Sequence, residues 1–118
     1  MTDPKAPPQF LLPHHKLIAY QVAVELLHAV RAAHVRDAKL RDEAVRAAKS
    51  VCMNCAEGAG RITRADKARA FAIARGEAVE AVAAVEIAAH MGDAPVEAAT
   101  RCVAIGHRLV GLLTRLAR

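Results

Sequence analysis

Apolar residues recur at intervals of three and four positions along four long stretches of the chain, and short polar links separate these stretches. This spacing places the apolar residues of each stretch on one side of an α-helix. The four predicted helices cover about residues 14–35, 40–56, 65–91 and the chain beyond 93. Because short links make neighbouring helices run antiparallel, the pattern predicts an all-α, up-down-up-down four-helix bundle.

Residues of known capping preference mark the predicted helix ends. Glycine readily adopts the left-handed conformation at a helix C-terminus. The glycines expected in this role are Gly58 and Gly60 after the second helix and Gly92 after the third. Thr63 and Asp66 resemble a capping box that opens the third helix. Asp93 is expected to cap the fourth helix, with Pro95 in its first turn, where proline is tolerated.

The third helix is nearly apolar all round over residues 78–89, which predicts that it is buried on most sides. The apolar surface of the first helix is also wider than one bundle core requires. The fourth helix carries one heptad-spaced ridge, formed by Val96, Ala99, Val103, Gly106, Val110 and Leu113. In so small a chain, contacts between subunits are the expected cover for the excess apolar surface. We therefore expect a homo-oligomer.

Composition fits one small domain. The chain has 118 residues, of which 54% are hydrophobic but only 3% aromatic, so the core is expected to be aliphatic and shallow. The bundle is predicted to span residues 14–118 as a single domain. Residues 1–13 contain four prolines and are expected to form an irregular arm, because proline lacks the N–H that regular structure needs.

The three cysteines favour a reducing compartment. Their number is odd, the start of the chain shows no secretory signal, and no apolar run is long enough to cross a membrane. We therefore expect a cytoplasmic protein without a membrane segment. Cys52 and Cys55 form a C-x-x-C motif, but a zinc site would need a second ligand pair, so small buried hydrophobes are the better interpretation. Nothing in the sequence predicts a bound cofactor.

Two polar segments interrupt the second and third helices. Ser50, Asn54 and Glu57 share one face of the second helix, and Glu77 and Glu80 share one face of the third. Arg75 and Gly76 lie directly before that second pair. If the two faces meet, Arg75 is expected to neutralise a carboxylate and Asn54 to bridge two backbones. Such a network would fix the helix register, and this structural role is favoured over catalysis, which needs a cleft with perturbed groups.

A metal-dependent bundle enzyme is the competing hypothesis. Carboxylate-bridged metal sites in four-helix bundles use carboxylates from all four helices and two Glu-x-x-His motifs. Glu25 and His28 have that spacing, and Glu57 and Glu80 are candidate further ligands. The second motif is missing, however, so we expect no metal and no enzymatic activity.

Basic residues give the strongest functional signal. Arg101, Arg108 and Arg115 recur every seven residues on the fourth helix. The other candidates are Arg46 and Lys49 on the second helix and Arg61 and Arg64 around the following turn. With a net charge of +5, these rows predict contact with the phosphate backbone of structured RNA or a duplex. The alternative is a solvated face, and the scarcity of aromatic residues argues against stacking on single strands.

Three segments resemble motifs of a known family. Residues 54–58 (Asn-Cys-Ala-Glu-Gly), followed by Gly60 and Arg61, are similar to an Asn-Ile-Ala-Glu-Gly motif. Residues 71–76 (Phe-Ala-Ile-Ala-Arg-Gly), with Glu80 following, resemble a Phe-Leu-x-x-Ala-x-Gly-Ser-x-x-x-Glu motif, and residues 17–21 resemble the opening of the first helix. The family is that of the four-helix-bundle proteins encoded in intervening sequences of bacterial 23S rRNA genes. Its relatives include the accessory variability determinant of diversity-generating retroelements.

The resemblance implies an antiparallel bundle assembled as a ring-like homopentamer. For the retroelement relatives it implies a basic surface that binds nucleic acid and a reverse transcriptase, and for most other members it implies no established activity. This chain departs from the pattern at Cys55, where the family has isoleucine, and at Glu77, where it has serine. Residues and resemblance together predict a non-enzymatic, oligomeric binding protein, with a purely structural oligomer as the plainer alternative.

Overall fold

A computed structural model describes residues 12–118, and these form an antiparallel four-helix bundle without strands. The helices are α1 Ile18–Ala32, α2 Ala38–Gly60, α3 Arg64–His90 and α4 Val96–Leu116, and a 3-10 turn, Pro13–Lys16, precedes α1. Each helix packs against the next one along the chain, and α4 closes the ring against α1. The predicted fold is thereby confirmed. The predicted irregular arm falls almost entirely on residues outside the described part of the chain.

The core is built from alanine, valine and leucine, as the composition predicts. The largest fully buried side chains are Leu26, Leu109, Leu113, Val22, Val51, Val85, Cys55 and Cys102. Alanines fill most of the remaining positions, which lets the helices approach closely. Phe71 is the only phenylalanine within residues 12–118, and it is buried with 4% of its surface exposed. Its ring lies at the end of the bundle where α2 turns into α3.

The first helix begins later and ends earlier than predicted. Leu17 has extended backbone angles (φ −75°, ψ 117°), so the 3-10 turn and α1 are separate elements. The imidazole of His15 accepts a hydrogen bond from the backbone N–H of Leu12 at 3.1 Å, which holds the chain in the tighter turn. At the other end, α1 stops at Ala32. Asp37 then caps α2, accepting from the N–H of Leu40 at 2.9 Å.

Gly58 and Gly60 do not end α2 in the left-handed conformation, and this prediction was wrong. Gly58 lies inside the helix, Gly60 is its last residue without a positive φ, and Arg61 leaves it with extended angles (φ −71°, ψ 154°). Gly58 is needed for a different reason. A Cβ atom at this position would lie 2.6 Å from Cε1 of Phe71, so only glycine lets the α3 ring pack against α2. Close packing, rather than helix termination, explains this glycine.

The caps around α3 are mostly as predicted, whereas the cap of α4 is not. Thr63 Oγ1 accepts from the N–H of Asp66 at 3.1 Å, and Gly92 has a left-handed φ of +76°. Pro95, not Asp93, occupies the N-cap position of α4. Asp93 is held by backbone contacts instead: its N–H donates to Ala88 O at 2.7 Å, and its C=O accepts from the N–H of Arg36.

The buried face of α4 is rotated from the predicted ridge. Ala99, Gly106 and Leu113 are buried as expected, but Cys102 and Leu109 complete the core. Val96 and Val103 are exposed by 68% and 42%. The difference arises because α4 contacts both α1 and α3, so its buried stripe follows the direction between them rather than one heptad row.

The third helix is buried on one side only. Its core residues, among them Ala78, Ala81, Val85 and Ala88, face the bundle. Val79 and Ile87 in the same stretch are exposed by 51% and 47%. In a single chain α3 has neighbours on its inner side alone, so its outer apolar side chains remain at the surface. The expectation that α3 is buried on most sides therefore does not hold within one chain.

Candidate nucleic-acid interface

The turn between α2 and α3 and the C-terminal part of α4 lie at the same end of the bundle. The guanidinium Nε of Arg75 on α3 donates to Thr114 Oγ1 on α4 at 2.8 Å, which joins the two segments directly. Thr114 in turn donates to the carbonyl of Val110. The first segment comprises residues 57–75 and the second residues 110–118, and together they form what we call the basic end.

The basic end carries the entire net charge of the protein. Its two segments contain seven basic and two acidic side chains, a net charge of +5, which equals the formal charge of the full sequence. The rest of the chain has ten basic and ten acidic side chains and is balanced. The two segments are far apart in the sequence, so only the antiparallel fold concentrates this charge at one place.

Several cations at the basic end have structural partners of their own. The ammonium of Lys67 donates to the carbonyls of Gly58 and Ala59 at 3.3 and 3.0 Å, which satisfies the C-terminal end of α2. Arg61 pairs with the carboxylate of Glu57 four residues before it. Arg64 and Arg115, both sequence candidates, are exposed at this end. Their guanidinium groups are accessible to a phosphate group from solution, as are those of Arg69 and Arg118.

Arg46, another sequence candidate, lies in an ion-pair network on the α2–α3 face. Its Nη2 atom is 2.7 Å from Glu43 Oε1, 3.3 Å from Glu77 Oε2 and 2.8 Å from Glu80 Oε2. The hydrogen bond from Arg46 lowers the pKa of Glu43. The neighbouring carboxyl groups of Glu43 and Glu77 raise the pKa of Glu80, despite its contact with Arg46. With three carboxylates around it, Arg46 is poorly suited to bind phosphate.

This network also gives Glu77 a role. The charge at this position, where the family motif has serine, is met from α2 by Arg46 rather than by Arg75. The expectation that Arg75 neutralises a carboxylate was wrong, since Arg75 binds Thr114. Lys49 is exposed one helical turn beyond Arg46 on α2.

The arginine row of α4 is exposed along its length, at Arg101, Arg108 and Arg115. Arg108 Nη1 lies 4.0 Å from Glu25 Oε2 on α1, at the limit of an ion pair. Arg101 lines a shallow groove between α1 and α4 together with Glu25 and His28. Arg115 belongs to the basic end, and the other two extend the row along α4 toward its start.

The remaining motif residues, Ser50, Asn54 and Gly76, make no hydrogen-bonded contact between α2 and α3. The amide of Asn54 donates to the carbonyl and the hydroxyl of Ser50, at 2.9 and 3.1 Å, so it stays on its own helix and does not bridge two backbones as expected. Gly76 is exposed on α3, and a Cβ atom there would meet nothing within 4 Å. The polar segments therefore do not form one joint network between α2 and α3.

The candidate metal ligands are not brought together. Glu25 and His28 lie in the α1–α4 groove beside Arg101, whereas Glu57 pairs with Arg61 and Glu80 with Arg46. Within residues 12–118 no three His, Cys, Asp or Glu side chains are grouped so that they would hold a metal ion. The four residues proposed as metal ligands therefore do not form a metal site.

The three cysteines are free thiols. Cys55 and Cys102 are buried and Cys52 is half-buried. Burial raises the pKa of all three thiols, to about 12 for Cys55. Each is therefore a neutral thiol at physiological pH, which fits the interpretation of the C-x-x-C motif as packing. None of the helices in residues 12–118 combines the length and the hydropathy that a membrane span requires.

Comparison of the chain with models of protein families gives a result that agrees with the bundle fold and the two motif segments. The model of one protein family, described as 23S rRNA-intervening sequence protein, matches residues 15–113. The chain belongs to this family. The match covers α1, α2 and α3 in full and α4 as far as Leu113, so the resemblance seen in the motif residues extends to nearly the entire bundle. A comparison with curated proteins finds no match for the chain.

For this member of the 23S rRNA-intervening sequence protein family, the sequence did not predict that the two basic segments form one surface. It identified Arg61, Arg64 and Arg115 separately, but as parts of different rows. The signal that was available is the absence of acidic residues after Glu97, combined with the basic turn after α2. In an antiparallel bundle the end of the second helix and the end of the fourth helix lie at the same end, so these two basic segments are neighbours.

Proposed function

We propose that this family member is a non-enzymatic, self-associating bundle that binds nucleic acid through its basic end. The observation that carries the proposal is the location of charge: residues 57–75 and 110–118 hold the net charge of +5, and the rest of the chain is balanced. A local concentration of positive charge attracts the phosphate backbone and releases its counterions. A balanced remainder offers no comparable attraction, so binding is directed to one end.

Structured RNA or duplex is the favoured form of nucleic acid. Phe71 is buried and Tyr20 is half-buried against His14, which leaves little aromatic surface on residues 12–118 for stacking a series of single-stranded bases. For the retroelement relatives the resemblance implies a reverse transcriptase as a second partner, and the basic end suits the nucleic acid that such an enzyme carries. The free, neutral thiols support a reducing, cytoplasmic location.

Salt-dependent binding tests the nucleic-acid proposal. Labelled hairpin RNA and duplex DNA are titrated with the protein by fluorescence anisotropy between about 50 and 200 mM salt, a range over which several phosphate contacts would weaken binding by orders of magnitude. We expect the double variant R64Q/R115Q to bind more weakly and with a shallower salt dependence. The slope should fall by about 0.7–0.9 for each phosphate that the variant no longer neutralises.

A matched control uses the opposite end of the bundle. Arg31 and Lys39 are also exposed, lie outside the two basic segments, and carry the same total charge. The variant R31Q/K39Q therefore has the same net charge as R64Q/R115Q. Equal weakening by both variants would refute an end-specific interface and leave only a net-charge effect. Undetectable binding of the unmodified protein at low salt would refute the proposal itself.

Self-association is supported by a second surface. Five of the ten exposed large hydrophobic side chains within residues 12–118 lie on α3 beyond the basic end, on α4 or in the turn between them: Val79, Ile87, Met91, Val96 and Val103. Val79, Val96 and Val103 line grooves between α3 and α4, and exposed apolar surface of this kind favours a protein partner. We propose that a second copy of the chain covers it, in the pentamer that the family resemblance implies. The basic end is formed largely by other residues and stays available.

Light scattering after size exclusion tests the assembly. We expect a mass near five times the 12.6 kDa of one chain. The variant V79Q/V103Q is expected to dissociate, since both side chains line the groove between α3 and α4. M53Q is the control, because Met53 is 71% exposed but lies on α2. A monomeric mass for the unmodified protein at micromolar concentration would contradict the proposal.

A further inference from the structure

The basic end contains a pocket between α2 and α3 that differs in character from the surface around it. Its volume is about 290 Å³, near the lower limit for sites that hold small ligands. Polar side chains from both helices and from the link between them line it: Asn54, Glu57, Arg61, Asp66 and Arg69. Ala70 and Ile73 supply an aliphatic wall. Two residues of the family motif in α2, which the phosphate interface leaves unused, therefore face this pocket.

The hydrogen bonds within α2 leave acceptor atoms available to a ligand. The Nδ2 atom of Asn54 donates to Ser50, to its carbonyl at 2.9 Å and its hydroxyl at 3.1 Å, which leaves Oδ1 of that amide as an acceptor. Glu57 binds Arg61 through Oε1 and retains Oε2. Arg69 forms no side-chain hydrogen bond or ion pair with any of residues 12–118, so its guanidinium is available as a donor.

The pocket is balanced in charge although the end around it is basic. Glu57 and Asp66 offset Arg61 and Arg69, so the pocket has no net attraction for a phosphate group. Hydrogen-bond acceptors and donors lie side by side in the pocket. This arrangement suits a neutral, flat group that itself has hydrogen-bond donors on one edge and acceptors on another. Such a group reaches the pocket most readily when it is attached to a backbone of phosphates that the neighbouring basic residues hold.

We propose that this pocket receives one unpaired guanine base from a loop or end of the bound nucleic acid. Guanine presents N1–H and N2–H donors on one edge, which match the acceptors on Asn54 and Glu57. Its O6 and N7 acceptors match an arginine fork such as that of Arg69. The other bases have fewer donors next to one another on that edge. An unpaired base is required, because this edge is occupied in a duplex.

The proposal rests on the proposed nucleic-acid function and adds base preference to it. Reading one base in a pocket needs hydrogen bonds and an apolar wall, and it does not need the exposed aromatic platforms of single-strand binding proteins. The preference would be modest, since one good set of base contacts distinguishes the right base from a wrong one by about tenfold to a hundredfold.

Hairpins that differ in one loop nucleotide test this inference. RNA and DNA hairpins with guanine, inosine, adenine, cytosine or uracil (thymine in DNA) at one loop position are compared by anisotropy at fixed salt. We expect guanine to bind about tenfold more tightly than adenine or the pyrimidines, and inosine, which lacks the N2 amino group, to fall between. Comparison of the RNA hairpins with the DNA hairpins shows whether the protein binds RNA, DNA or both.

Variants separate the pocket from the phosphate interface. E57Q and R69Q are expected to abolish the guanine preference. The matched control for E57Q is E97Q, which makes the same change of charge at an exposed residue in the first turn of α4. It should retain the preference. Loss of the preference in E97Q as well would overturn the pocket assignment.

The outcomes distinguish the two levels of the proposal. Equal affinity for every loop nucleotide, with the salt dependence and the R64Q/R115Q effect intact, overturns the guanine pocket and leaves the proposed function in place. No binding of any hairpin at low salt overturns the proposed function. A guanine preference that E57Q removes and E97Q keeps supports both.

Discussion

Replacing Gly58 with alanine is expected to destabilise the bundle, although alanine is the better helix former. In a helix interior, alanine is favoured over glycine by about 0.8–1 kcal/mol. At this position, however, the new Cβ atom would lie 2.6, 2.8 and 2.9 Å from three atoms of the Phe71 ring. Forcing extra atoms into a packed site costs about 1–3 kcal/mol. Because the ring is buried and the overlap involves three atoms, the cost should lie in the upper part of this range, at about 2–3 kcal/mol, and after subtraction of the propensity gain we expect a net destabilisation of about 1–2 kcal/mol.

Gly76 provides a matched control within the same protein. It lies inside α3, and a Cβ atom there would meet nothing within 4 Å. G76A is therefore expected to gain about 0.5–1 kcal/mol from helix propensity alone. The two identical substitutions should change stability in opposite directions. Gly111 on α4 has the same open surroundings and should behave like Gly76.

Urea unfolding monitored by far-UV circular dichroism measures both effects. Each variant is measured at two protein concentrations about tenfold apart, so that any change in self-association is separated from a change in the bundle. The substitution F71L is then added. In that background G58A should become neutral or stabilising, because the ring that it overlaps is gone. If G58A alone is as stable as the unmodified protein, the close approach of Phe71 to α2 is refuted.

Three further predictions concern other parts of the bundle. D37A removes the side-chain cap of α2 and should cost about 1 kcal/mol in urea unfolding, whereas an unchanged midpoint would show that the cap contributes nothing. R46Q removes the cation shared by Glu43, Glu77 and Glu80, so it should lower the melting temperature at pH 7; because the neighbouring carboxyl groups raise the pKa of Glu80, which is therefore protonated first as the pH falls, the decrease should be smaller near pH 4, and an equal decrease at both pH values would contradict this. Cys55 has its pKa raised to about 12 by burial, so the folded state keeps a proton that the unfolded state releases above about pH 9, and stability should fall between these values. C55A should reduce this fall, and an identical pH profile in C55A would refute it.

The helices and their antiparallel order follow from the sequence because they depend on local information. Apolar spacing of three and four residues, together with short links, is sufficient for a bundle. Thr63 and Gly92 could be recognised for the same reason, since capping depends on residues only a few positions away. Gly58 could not, because its role depends on a ring that arrives from another helix. Sequence reasoning therefore assigned it the commonest local role.

Tertiary structure decided how the charges are distributed. The sequence provides the seventeen basic residues and the motif residues Asn54 and Glu57, but not their neighbours. Folding brings residues 57–75 and 110–118 to one end, and it places Arg46 against Glu77 instead of leaving it available for phosphate. The physical reason is that helix propensity and apolar periodicity act over one or two turns, whereas ion pairing and net surface charge depend on which helices lie side by side. The sequence by itself determined a basic four-helix bundle, and only the packing decided that its positive charge lies at one end.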